Sequence, residues 1–245
     1  MISSYNQNIF INTSDKKLII SILKKTKNKL KKIDRARLMD FRELFRLLSS
    51  QEKVLIKKFL NVNFRKHGIR VPYFGIQKVP KNLIAIRAQK YVYKIKRIET
   101  QYLSCRTYLA YKKLNSALYK ELGKRLLILS GYRSPAYQMI IFFQYLNYCN
   151  FNFSKAVKKI FLPGYSEHGY VKKQAIDFTT TESVSTIDKS FDFSKTDEYR
   201  WLLKNAYKFG FYLSYPRNNK FGVIFEPWHW RFGDNKLKDY LKTVN

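Results

Sequence analysis

Acidic residues are scarce in this chain, and so are cysteines, histidines and long apolar runs. The 245 residues hold two cysteines, Cys105 and Cys149, too few to define a disulfide framework in a chain of this size. Two free, buried thiols are expected, with a single disulfide as the alternative. No stretch approaches the roughly 18 to 20 consecutive apolar residues of a membrane span. The N-terminus, "MISSYNQNIFINTSDKKLIISILKKTKNKLKK", lacks the basic start, apolar core and small-residue cleavage site of an ordinary signal peptide. The chain therefore reads as soluble, with any export route hidden. No internal repeat and no low-complexity linker stands out beyond the lysine bias. Nucleophile-elbow, phosphate-binding glycine loop and CxxC motifs are all missing, so none of those chemistries competes for an active site.

What is present is positive charge and aromatic mass. Seventeen Asp and Glu against 48 Lys and Arg leave a formal net charge of +31 at pH 7. The resulting field draws polyanions such as nucleic acid, anionic lipid or acidic cell-wall polymers, and names none of them. Lys, Asn, Ile, Tyr and Phe are abundant together, as A/T-rich codon usage would also produce, so charge alone assigns no function and no specific nucleic-acid partner. With 45% hydrophobic and 17% aromatic residues the chain is globular, not disordered, and can bury one good-sized core plus a small second unit.

The first seventy residues read as basic helices. Ser14 and Asp15 are placed to cap a segment with Leu18, Ile19, Ile22, Leu23 and Leu30 at helical spacing; a second carries Leu38, Phe41, Leu44, Phe45 and Leu48; a third, "EKVLIKKFL", runs towards Gly68. Pro72, Gly75 and Pro80 then break the pattern, which sets a boundary between a helical region, 1–71, and a second unit, 72–245. The helical region is expected to be a solvated subdomain packed on its neighbour; a nucleic-acid or envelope-binding arm is the alternative. Beyond the boundary, a helix from about Thr100 to Leu122 ends at Gly123, and "RLLILS", "QAIDFTT", "FYLSYP" and "GVIFEPWHWRF" read as strands. Helices containing Met139 to Leu146 and "EYRWLLKNAYKF" lie between them. The expected fold is α+β, with a small, mostly antiparallel sheet flanked by helices.

Three histidines occur, and His168 and His229 have unusual settings. Asp177 lies in the apolar stretch "QAIDF", where a lone carboxylate is costly unless a cation or several donors meet it. Two imidazoles and one carboxylate leave a fourth position for water, the open coordination of catalytic zinc, and a nearby glutamate can then serve as general base. Glu226 precedes His229 by three positions in "EPWHWRF"; on a strand the two would point to opposite faces, so a bend at Pro227 is required to bring them together. Taken singly, a histidine beside aromatics is more often a packed core or rim residue than a ligand, and Arg231 is equally a plain surface ion-pair partner of Glu226.

The ordered set "SGYRSPAYQ", "PGYSEHGYVKKQAIDF", "WLLKNAYKFGFYLSYP" and "EPWHWRFG" resembles the VanY-type D-alanyl-D-alanine carboxypeptidases, within the LAS metallopeptidases, over roughly residues 72 to 245. The resemblance implies a zinc peptidase that trims peptidoglycan stem peptides. It makes His168, Asp177 and His229 the zinc ligands, Glu226 the catalytic base and Arg133 a donor to substrate oxygens, with Ser166 as a second contact. Trp228 and Tyr132 are candidate cleft walls and Gln138 a further substrate contact. One departure stands out: the family separates its first histidine and aspartate by six residues including a glycine, whereas "GYVKKQAI" puts eight between His168 and Asp177 and lacks that glycine. Two extra residues keep the pleat parity, so a longer loop can still present Asp177 inward. The expected function is removal of a terminal D-amino acid by a monomeric zinc carboxypeptidase acting on murein. The alternatives are an endopeptidase or D,D-dipeptidase of the same superfamily and a catalytically dead, polyanion-binding relative. The resemblance implies the cell envelope, while the invisible signal peptide leaves the cytoplasm open.

Overall fold

In the N-terminal region the few acidic side chains decide where helices begin and how they pack. The computed structural model describes residues 11–32, 35–91, 98–182 and 192–233; residues 1–10, part of the stretch read for a signal peptide, lie outside them. Helix α1, Thr13–Lys32, starts two residues earlier than a cap at Ser14 predicts, because Asn12 Oδ1 accepts from Asp15 N at 2.8 Å and the Asp15 carboxylate accepts in return from Asn12 N at 3.3 Å. The expected second helix is split. A 3₁₀ turn at Ala36–Leu38 precedes a short α2, Phe41–Phe45, restarted by a reciprocal capping box between Asp40 and Glu43. Ser49 and Glu52 form the same box at the start of α3, Ser50–Leu60. Buried Glu52 and Asp15 then cross-link the helices through Lys25 and Lys58, each at 2.7 Å.

Strands β1, Leu83–Ile86, and β2, Gln101–Ser104, form an antiparallel pair; the sequence reading assigned no element to the first and placed the second in the start of a helix. The helix begins only at Ser104, whose side chain caps it by accepting from Thr107 N; this is α4, Cys105–Leu122, closed by Gly123 at φ 66°. Strand β3, Leu126–Ser130, is followed by α5, Pro135–Tyr148, and a single-turn α6, Phe153–Ala156. After β4, Ala175–Thr180, come α7, Asp197–Asn205, capped by Thr196, then β5, Phe211–Leu213, and β6, His229–Phe232. The second sheet has the order β3-β4-β6-β5 and is antiparallel throughout. The fold is thus α+β, small antiparallel sheets flanked by helices, as expected. "GVIFEPWHWRF" is strand only from His229, because the chain turns at Glu226–His229. Both cysteines are free, and Cys105 is exposed, at the first turn of α4, rather than buried as predicted; Cys149 is buried.

Two cores result. One joins α1 and α3 to α5: Phe59, fully buried, meets Phe143 edge-on at 5.0 Å and Phe142 at 5.9 Å. The other lies between the four-stranded sheet and α4 and α7, with Trp230, Phe178, Phe211, Leu114 and Leu202 buried in it. Phe59→Ala is expected to lower stability by about 3 to 5 kcal/mol through the cavity it leaves, measured by urea unfolding.

Candidate metal centre

Sheet register puts the key side chains together. Asp177 sits on the central strand β4, directly opposite His229 on β6 and Ser130 on β3; directly opposed residues in an antiparallel pair share one face. His168 arrives from a 3₁₀ turn, Glu167–Gly169, held by the "SGYR" turn: its carbonyl accepts from Arg133 N at 3.3 Å and its Nδ1 donates to the Gly131 carbonyl at 2.8 Å. Gly131 must be glycine there, since a Cβ would stand 2.5 Å from the Tyr102 carbonyl oxygen. The long His168–Asp177 connection is absorbed by a second 3₁₀ turn, Val171–Lys173. Buried Gln174 then pins the chain, its Oε1 accepting from Ser104 N at 2.8 Å and its carbonyl from Phe232 N at 2.9 Å.

His168 Nε2 lies 3.2 Å and His229 Nδ1 2.9 Å from Asp177 Oδ1, and one ligand atom from each of the three residues falls within 4.8 Å of the others, all buried. The turn at Pro227, anticipated from the sequence, brings Glu226 Oε2 to 3.8 Å from His229 Nδ1. Arg133 Nη2 donates to Asp177 Oδ2 at 2.6 Å and its Nε to Ser130 Oγ at 2.8 Å. All of these line one cavity of about 580 Å³, together with Ser166, Gln138 and Trp228. Gln138 donates its amide to the Phe161 carbonyl at 2.7 Å, and its buried Oε1 has no partner among the described residues. Tyr132 instead is fully buried with Leu38 and Tyr102, off the cavity lining. His67 packs edge-on against Phe153 at 4.7 Å.

Glu167 was quoted in the motif and given no role by the sequence. Its Oε2 accepts from His229 Nε2 at 3.0 Å and from Ser214 Oγ at 2.5 Å, with Arg231 Nε 3.9 Å from Oε1. A carboxylate on the far nitrogen of an imidazole fixes its tautomer and ring plane, leaving Nδ1 for a metal.

The electrostatics suit a cation. Burial lowers the His168 pKa to about 4, helped by the charge of Arg133, so its Nε2 lone pair is free at neutral pH. Burial raises Asp177, but His168, His229 and Arg133 outweigh it and hold the carboxyl well below its ordinary value. Burial opposes a charge on His229, yet hydrogen bonds to Asp177 and Glu167 raise its pKa to about 10. Glu167 is pushed up by burial and brought below its ordinary value by His229, Arg231 and Ser214. Burial raises Glu226 to about 7, with His229 opposing and Asp177 adding. Two imidazoles and a carboxylate, buried, with one imidazole neutral and the other braced by a carboxylate, are a donor set that fits a zinc ion.

A sequence model of the VanY family, D-alanyl-D-alanine carboxypeptidase, matches residues 100–235, more than half of the chain. The chain belongs to the VanY carboxypeptidase family. A Bacillus subtilis (strain 168) relative, YodJ, named as a candidate carboxypeptidase, is 31% identical over 148 residues, 60% of this chain; the chain spans 52% of that relative's length. The solved LdcB LD-carboxypeptidase is 28% identical, over 68% of this chain and 79% of its own, with a TM-score of 0.51. The vancomycin-resistance D,D-pentapeptidase VanY, solved with Zn(II), is 23% identical over 70% of this chain and 86% of its own, with a TM-score of 0.46.

The raised pKa of His229 predicts a pH-sensitive stability for the metal-free protein. The His229 proton is held more tightly folded than unfolded, so its contribution is full below its ordinary value of 6.5 and lost as pH rises through about 10. Thermal melts of metal-free protein are expected to fall between pH 7 and 10, and less steeply in His229→Gln.

Proposed function

We propose that this VanY-family chain is a zinc-dependent carboxypeptidase that removes the terminal D-amino acid from peptidoglycan stem peptides. The observation behind it is the convergence of His168, Asp177 and His229 in one buried cluster, with Glu226 3.8 Å from His229. His168 through Nε2, Asp177 through Oδ1 and His229 through Nδ1 would hold the ion. When bound, zinc supplies a Lewis acid that polarises a carbonyl and acidifies water.

The protein's own groups do the rest. With the metal in place His229 would be neutral, its Nδ1 lone pair turned to the ion and its Nε2–H donated to Glu167. Glu226, its pKa raised by burial to about 7, is matched to taking a proton from water at Oε2 and returning it to the leaving amine, since a general base works best near the operating pH. Arg133 is anchored by Asp177 and Ser130 at one end; its planar fork suits the substrate's C-terminal carboxylate or the developing oxyanion. Gln138 Oε1, unpartnered among the described residues, would accept from a peptide N–H of the substrate. Ser166 and Trp228 complete the lining.

A cell-envelope location and a role for the basic surface in holding anionic murein belong to the same proposal. Among the described residues no helix is long and apolar enough to cross a membrane.

Incubation with muropeptides of three, four and five residues, read by mass, is expected to show loss of a single terminal alanine. Loss from the five-residue peptide identifies D,D cleavage and loss from the four-residue peptide L,D cleavage; release of an intact dipeptide replaces the proposal with an endopeptidase, and cleavage of free D-Ala-D-Ala alone with a D,D-dipeptidase. Glu226→Ala should keep near-stoichiometric zinc while turnover falls by about 10² to 10⁴. His168→Ala should lose the zinc outright, and full occupancy by elemental analysis would remove His168 from the ligand set.

A further inference from the structure

Arg37 belongs to the N-terminal helical region, outside the residues matched by the family, yet its side chain lines the same cavity as Arg133, Glu226 and His229. The backbone fastens it there. The Arg37 carbonyl accepts from Ser134 N at 2.9 Å, and the Met39 carbonyl accepts from Ser134 Oγ at 2.5 Å, so the Ala36–Leu38 turn is tied to the residue that follows Arg133. The guanidinium carbon stands 5.4 Å from the centroid of the Tyr137 ring, another lining residue, an arrangement that holds a cation over an aromatic face.

The charge of Arg37 is poorly answered where it sits. Its side chain is 14% exposed, and its contact with Glu99 is 3.5 Å long to a side chain that is 83% exposed, a weak and screened pair. Arg37 Nε is buried with no hydrogen-bond partner among the described residues. Arg133 differs: its Nη2 and Nε are taken by Asp177 and Ser130. The cavity therefore holds two guanidinium groups, of which the protein itself closely neutralises one.

We infer that Arg37 forms an anion subsite for a second carboxylate of the peptide substrate, one placed away from the bond being hydrolysed. The inference rests on the peptidase reading of the site and adds to it a selectivity for acidic peptides. A guanidinium presents a planar fork that matches a carboxylate, and the incoming charge satisfies both the orphaned donor and the local excess of positive charge. Lys159, exposed on the same cavity lining, adds charge of the same sign. A carboxamide in place of that carboxylate brings no compensating charge, so it is discriminated against by the same buried groups.

The test uses two peptides alike except for one internal carboxyl group, free in one and amidated in the other. For the intact protein kcat/KM is expected to favour the free acid by about 10- to 100-fold, mainly through KM, the span of one charge-assisted hydrogen-bonded pair. Arg37→Ala is expected to bring that ratio close to one, and Arg37→Lys to retain part of it. The backbone carbonyl, not the side chain, holds Ser134, so both variants should fold, which melting curves check. An unchanged ratio in Arg37→Ala, or a ratio near one in the intact protein, overturns the subsite. Calorimetric binding of both peptides to Glu226→Gln protein incubated with zinc separates this result from the reaction itself. Acid-selective binding that Arg37→Ala abolishes, in a chain whose intact form cleaves neither peptide, supports the subsite and overturns the peptidase reading. Equal binding of both peptides, alongside ordinary cleavage, overturns the subsite alone.

Discussion

A carboxylate withdrawn from water must have its charge met in place, and Asp177 is where three separate parts of the chain meet that demand. Arg133 comes from the turn after β3, His229 from the first residue of β6 and His168 from a loop, all reaching the same carboxyl group. A slip of one residue between β4 and either neighbour would send Asp177 to the opposite face and leave two imidazoles and a guanidinium without it. The bulge between Ile128 and Ser130, the tight passage at Gly131 and the Gln174 tether all serve that alignment. One face of the sheet closes the core with α4 and α7, and its register aligns the site.

The N-terminal region is joined to this arrangement twice. Phe59 and its neighbours pack on the far part of α5 through the aromatic core, while Arg37 and Met39 grip Ser134 at the start of the same helix. Helix α5 thus receives contacts at both ends, and its first turn carries Tyr137 and Gln138 into the cavity. Rigid support of this kind is what a site needs when its groups must stay within a few tenths of an ångström of a working geometry.

Much of the site was legible because its residues fall in short, ordered stretches. His168, Asp177 and His229 stood out by their settings and Glu226 by strand parity and Pro227, while their roles, and the choice of Arg133, came with the resemblance those stretches carry. Glu167 escaped because its partners Ser214 and His229 lie 47 and 62 residues away, and nothing local distinguishes an acid beside a histidine from a surface one. A signal was present in hindsight: the serine of "YLSYP" sits on an apolar stretch and needs a buried partner. Arg37 escaped more completely, since one arginine among 48 basic residues carries no mark until the fold brings it to the cavity. Strands β1 and β2 were missed because four-residue segments show too little periodicity; the hydroxyl of Ser104 was the one clue that the helix starts there and not at Thr100.

The shortage of acids has a lasting effect on how this protein can change. Asp15, Glu52, Glu167 and Asp177 are each buried against a named cationic or imidazole partner. Replacing Asp15 or Glu52 releases Lys58 or Lys25 to solvent, whereas replacing Asp177 leaves the Arg133 guanidinium, 13% exposed, without its closest counter-charge. Substitution is therefore expected to cost most at the few buried acids of the site and least at the solvated lysines of the helices.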